Sequence, residues 1–276
     1  YSPTLNLVYL PHLDYNLQRL GPGHPAIAAD LRMIDAIVGE LIRFFQKRGV
    51  ELIVLSEYGI SPVKRPVHLN RVFRDKGWLT VREELGLEIL DPGNSQAFAV
   101  ADHQVAHIYV KDAAVVDQVR SAVEAVAGVA RVLGASEKKG AGLDHARSGD
   151  LIAVADDDAW FTYYYWLDDR LAPDFARCVD IHRKPGYDPV ELFLDPKIPA
   201  VKLKILRRLL QKKLGFRMLM DVIPLDAGLV RGSHGACPAK RVDYPILLTH
   251  PALAPTDPPI HSTHVFAPLR LPVLGQ

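Results

Sequence analysis

The chain has 276 residues, room for one large domain or two small ones. Hydrophobic residues make up 49% of it, enough for a sizeable core and too many for a disordered chain. Lys+Arg number 33 against Asp+Glu 32, and the resulting net charge of +1 gives no global field for nucleic acid or an anionic membrane.

Leu5–Leu10 is a short apolar run closed by Pro11, and it reads as a buried strand. A polar loop follows as far as Gly23. Pro25 opens a helix, where a missing N–H costs little, and Ile27, Leu31, Ile34, Val38, Leu41 and Phe45 form its apolar stripe. Gly49 stops that helix, and Leu52–Leu55 is the next strand. A strand–helix–strand crossover of this kind joins parallel strands, with both following loops on one sheet edge. That edge is where ligands bind in open α/β sheets. The loops after these strands carry Asp14 and Glu57.

Residues 70–76 form a short helix closed by Gly77. Residues 97–101 and 106–110 pair as strands, 111–126 are helical, and 129–133 and 150–155 are further strands. This order suggests a small α+β subdomain at about 92–148 within one domain spanning 1–276. The aromatic stretch Trp160–Trp166 reads as a buried strand and an adjacent wall. Residues 179–189 are polar and turn-rich, and residues 200–214 are an amphipathic surface helix with Lys and Arg on its polar face. Met218–Ile223 is strand-like and leads to the loop Arg231-Gly-Ser-His234-Gly235, and the residues from His264 onward return as a last strand. Cys178 and Cys237 make neither a CxxC nor a zinc-finger spacing, so a reducing, cytoplasmic setting is expected. No apolar run is long enough to span a bilayer and no signal peptide opens the chain.

Three motifs stand in sequence: the Tyr-x-Pro-x-x-Asp loop from Tyr9 to Asp14 with Gly21-Pro22 after it, the Ser-x-x-Gly of Ser56–Gly59, and the Gly-Ser-His-Gly of Gly232–Gly235. Together they resemble the type I phosphodiesterase/nucleotide pyrophosphatase branch of the alkaline phosphatase superfamily. Residues 142–150 and the strand after them are also similar to that family. The resemblance implies a mainly parallel α/β sheet sandwiched by helices. It implies a metal-dependent hydrolase of phosphate esters or phosphodiesters acting on a small-molecule phosphoester. It also implies a two-cation site clamping the attacking and leaving oxygens, with a Thr or Ser nucleophile. Tyr1 stands where a strand almost begins, and the nucleophile segment is expected upstream, leaving this chain inactive alone.

In that pattern Asp14 and His234 hold a cation. Gln18 stands in a His slot, and Glu57 and Tyr58 stand in an Asp-His pair. Oxygen donors there favour Mg or Mn over Zn. Each residue keeps a second reading: Asp14 as a turn cap, Glu57 as a solvated carboxylate, Gln18 and Tyr58 as polar lining. His182 and Arg183 read as contacts to an anionic substrate or as a solvated basic turn. His12 reads as surface or as support for the motif, and His103, His107 and His145 as structural or exposed. The rival function is a degenerate relative that binds a phosphorylated or polyol ligand without hydrolysing it.

Overall fold

The computed structural model describes residues 5–238, 240–251 and 261–265. Helices and sheets are mixed along it, consistent with an α/β fold. The N-terminal part is helical: α1 spans His12–Leu20 and α2 spans Ile27–Gln46. The stretch expected as a first strand, Leu5–Leu10, has no ladder, and all six of its residues are exposed. The second expected strand shrinks to β1, Val54–Leu55.

The parallel crossover expected between these two segments is therefore absent among the described residues. Instead β1 pairs antiparallel with β12, Leu247–Leu248. Asp14 accordingly sits on a helix and not in a loop past a strand.

Two short pairs tie the middle of the chain together. β2 (Ser61–Pro62) runs antiparallel to β11 (Gly232–Ser233), and β3 (Arg65–Val67) runs parallel to β10 (Ala159–Phe161). α3 spans Leu69–Asp75 and ends at Gly77, which takes a left-handed φ of 70°. A hairpin that the sequence pattern did not signal, β4 (Val81–Glu84) with β5 (Leu87–Leu90), turns through Leu85 and Gly86, both at positive φ.

The largest sheet has the order β6-β7-β9-β8 and is antiparallel throughout. Its strands are β6 (Ala97–Asp102), β7 (Val105–Val110), β8 (Val129–Leu133) and β9 (Leu151–Ala155). Helix α4, Val116–Glu124, buries Val119 and Val123 against it, the pair that the 3.6-residue spacing places on one face. A short α5, Ala135–Gly140, follows.

The core lies between this sheet, α3 and the aromatic stretch. Trp160, Phe161, Tyr163, Tyr164, Tyr165 and Trp166 are all buried in one cluster with Leu69 and Phe73. Asn70 is fully buried there, yet its amide is satisfied: it donates to the Ala99 and Tyr163 carbonyls and accepts from the Ala99 N–H. Asn70→Ala leaves those backbone groups unpaired, and a loss of about 2–3 kcal/mol in urea unfolding is expected.

Helix α6, Val201–Lys213, is anchored by Lys204 and Arg208 to Asp221. Met218–Ile223 forms no strand; its one ladder contact is a bridge from Asp221 to Cys178. Ser262–Val265 is a 3-10 turn, and the rest of the expected last strand lies outside the described residues. No described helix is long and apolar enough to cross a membrane.

Candidate functional site

Five separated segments meet at one place. α1 contributes Asp14 and Gln18, which stand four residues apart and so share a face. The β2–β11 pair draws the loop holding Tyr58 beside His234. The turn between β6 and β7 reaches the same loop, since the Gln104 N–H donates to the His234 carbonyl at 2.8 Å. The segment 184–191 joins through Tyr187, whose N–H donates to the Ala101 carbonyl at 2.9 Å.

Small residues make this meeting physically tolerable. Gly232 packs against α1 so closely that an added Cβ would overlap the Leu17 carbonyl oxygen. The neighbouring Arg231 N–H donates to the Gln18 carbonyl at 2.9 Å, which fixes the His234 loop to the end of α1. Gly21 closes that helix with φ 81°, and its own Cβ position faces the Arg231 carbonyl.

The side chains then interlock. Gln18 Nε2 donates to Asp14 Oδ2 at 2.9 Å, and the Tyr58 phenol donates to Asp14 Oδ1 at 3.2 Å. The Tyr58 ring lies flat on His234, with centroids 3.6 Å apart and planes 6° apart. His234 also faces His103 at 3.8 Å, and His103 stacks on Tyr187 at 4.4 Å. Four rings thus stand in a row from Tyr58 to Tyr187. At its side Asp102 Oδ1 lies 2.7 Å from His103 Nδ1.

Burial and charge set the protonation of this cluster. Burial, with the carboxylate of Asp14 as a lesser cause, pushes the Tyr58 phenol well above its usual range, so it stays an O–H donor. Burial, then Asp14, does the same to Tyr187. Burial pushes His234 down to about 4, so its imidazole is neutral at pH 7. The hydrogen bond from His103 holds Asp102 below the usual carboxylate range.

His68, buried against Thr162, is likewise pushed down to about 4 by burial. A histidine lowered on folding takes up its proton more readily when unfolded, between its folded value and about 6.5. Stability is therefore full above about pH 6.5 and falls as pH drops towards 4. Thermal melts at pH 7.5 and pH 5 check this: the melting temperature is expected to be lower at pH 5, and His68→Asn to narrow the gap.

The sequence candidates divide clearly. Asp14, Gln18, Tyr58 and His234 are brought together. Glu57 is exposed beside them. His182 and Arg183 are exposed, and Arg183 pairs with Asp174 at 3.2 Å. His12 lies 3.5 Å from Asp30, and His107 accepts from the Gly149 N–H. The residues that sequence reasoning missed are His103, Asp102 and Tyr187. One signal was present: a two-residue hairpin turn built from His and Gln, where Asn or Gly is usual.

Whether these side chains suit a pair of cations turns on the donors they offer. Among the described residues no three His, Cys, Asp or Glu side chains converge as a cage. Both oxygens of Asp14 already accept from neutral donors. Tyr58 keeps its proton, and a phenol O–H is a poor cation ligand. The described residues thus do not fit the two-cation centre that the resemblance implies.

The family model described as type I phosphodiesterase/nucleotide pyrophosphatase matches residues 1–188. An uncharacterised pyrophosphatase/phosphodiesterase of Schizosaccharomyces pombe is 32% identical over 77 residues, covering 26% of this chain and 16% of that protein. Among solved structures, murine ectonucleotide pyrophosphatase/phosphodiesterase 5 matches at 22% identity and a TM-score of 0.40, over 56% of this chain and 38% of that one. The phosphonoacetate hydrolase of Sinorhizobium meliloti 1021, in complex with phosphonoformate, matches at 20% identity and a TM-score of 0.42, over 67% and 45%. The chain thus spans less than half the length of each of these relatives.

Proposed function

This chain belongs to the type I phosphodiesterase/nucleotide pyrophosphatase family, and on that premise we propose that it serves a phosphoester hydrolase-like protein, with the Asp14–Tyr58–His234 cluster lining the site for a small phosphoester. The observation that carries this reading is the meeting of all three motif loops through Asp14, Tyr58 and His234. Family membership supports the phosphoester as ligand.

The chain's own residues would act as follows. The Tyr58 phenol and the Gln18 amide are neutral donors held in place by Asp14. A phosphoryl oxygen entering the cluster competes with Asp14 for them. Neutral His234 is fixed face-on by Tyr58 and offers a ring nitrogen. Buried His103 on its other side limits water there, which strengthens each polar contact.

Calorimetric titration of the full-length protein with phenyl phosphate tests the site. His234→Ala and Tyr58→Phe are each expected to weaken binding at least about tenfold, as loss of a hydrogen bond to a charged group does. Unchanged affinity in both variants would overturn the assignment.

One observation favours the second reading, a ligand binder without hydrolysis: Asp14 is satisfied by neutral donors. Assay on an aryl phosphodiester with added Mn or Mg separates the two. Turnover lost in His234→Ala supports hydrolysis. Binding with no turnover supports the binder.

A further inference from the structure

We propose that His103 is a ligand-contacting residue of this site, and that its Nε2 accepts a hydrogen bond from a hydroxyl group carried by the phosphoester. This rests on the phosphoester reading above and adds to it a chemical class, a phosphoester with a hydroxyl near the phosphoryl group, such as a polyol or a sugar supplies.

The tautomer follows from contact geometry. His103 Nδ1 lies 2.7 Å from a carboxylate oxygen of Asp102, and a carboxylate accepts. In the neutral imidazole the proton is therefore on Nδ1, and Nε2 carries a lone pair. That Nε2 is buried and has no partner, and the side chain is only 7% exposed. An unpaired buried polar atom is costly and rare in a folded protein.

The ring cannot turn away from this cost. Tyr187 covers one face and His234 the other. The turn itself is pinned: the His103 carbonyl accepts from the Phe161 N–H at 2.7 Å, and Gln104 Nε2 donates to the Ala159 carbonyl at 3.2 Å. Stacking alone would be served as well by a phenyl ring. It does not account for the carboxylate that fixes the tautomer.

Two further buried atoms beside the cluster lack partners. Gln18 Oε1 is an acceptor, and Ser233 Oγ, next to His234, both donates and accepts; their residues are 1% and 0% exposed. The His103 acceptor in a dry place calls for a ligand with an O–H donor. A phosphoryl group supplies none, so the ligand's own hydroxyls must.

The experiment compares two esters of one shape, glycerol 3-phosphate and n-propyl phosphate, by calorimetry on the full-length protein. Wild type is expected to bind the glycerol ester about fivefold to tenfold tighter, the worth of one or two hydrogen bonds. His103→Phe keeps the stack and is expected to bind both esters equally, with propyl phosphate within about twofold of wild type. Asp102→Asn is expected to lose part of the preference. Nitrogen-15 NMR of the histidines in wild type needs no variant: the Nε2 resonance of His103 shifts with glycerol 3-phosphate and stays with n-propyl phosphate.

Equal affinity of the two esters in wild type, a preference surviving in His103→Phe, or a silent Nε2 resonance would each overturn the proposal. If both esters bind and His234→Ala abolishes both, that overturn leaves the phosphoester reading standing. If wild type binds neither ester, the phosphoester reading falls and this inference with it.

Discussion

Lys184→Met is expected to cost about 3–5 kcal/mol of stability, more than Asn70→Ala or Gly232→Ala. Lys184 Nζ lies 2.9 Å from Asp188 Oδ2 and 2.6 Å from Glu191 Oε1, and its side chain is fully buried. One ammonium therefore serves two carboxyl groups that have little water. Asp188 shows the tension: burial raises its carboxyl above the usual range even with Lys184 beside it. Removing the ammonium leaves two like charges unpaired in a poor dielectric.

The pH dependence separates this loss from a packing defect. Without Lys184 the Asp188 carboxyl, already raised by burial, titrates higher still in the folded state than in the unfolded one. A raised carboxyl contributes stability below its unfolded pKa and loses it as pH rises through the folded value. The deficit of Lys184→Met is thus expected to be smaller at pH 5 than at pH 8 in urea unfolding. Adding Asp188→Leu and Glu191→Gln should recover much of it. A loss below about 1 kcal/mol would show that the trio is not the buried network described.

Gly232→Ala is expected to damage the site more than the fold. The backbone of Gly232 is not left-handed, so alanine is compatible with it conformationally. The obstacle is contact alone: the new Cβ would overlap the Leu17 carbonyl oxygen and sit 2.8 Å from the Ile60 side chain. Relief requires α1 to move off the His234 loop, which breaks the Arg231 to Gln18 hydrogen bond. Overpacking of this kind costs about 1–3 kcal/mol, against about 0.4–1 kcal/mol gained from a stiffer unfolded chain. Phenyl phosphate affinity is expected to fall at least about tenfold, because Asp14 and Gln18 ride on α1 while His234 does not. Wild-type affinity in this variant would contradict the close approach.

Much of this arrangement was legible from residue patterns. Helix α2, the β6–β7 hairpin and α4 follow from periodicity, since one buried face demands one spacing. The motif loops were legible as a set, and the structure brings Asp14, Gln18, Tyr58 and His234 together.

Other features were not legible, for physical reasons. Leu5–Leu10 has a strand's composition, but a strand exists only with a partner, and none of the described residues pairs with it. Val54–Leu55 finds its partner at Leu247–Leu248, nearly two hundred residues on, where no local spacing signals it. Met218–Ile223 is apolar without being laddered. His103 looked ordinary because its neighbours Asp102, His234 and Tyr187 acquire meaning only in three dimensions.

A double-mutant cycle on phenyl phosphate affinity, with Tyr58→Phe, His234→Ala and the two combined, tests the shared site most directly. Residues serving one site couple, so the double variant is expected to lose less than the two single losses together, by at least about 0.5 kcal/mol. Strictly additive losses, or no loss from either change, would contradict a site shared by Tyr58 and His234.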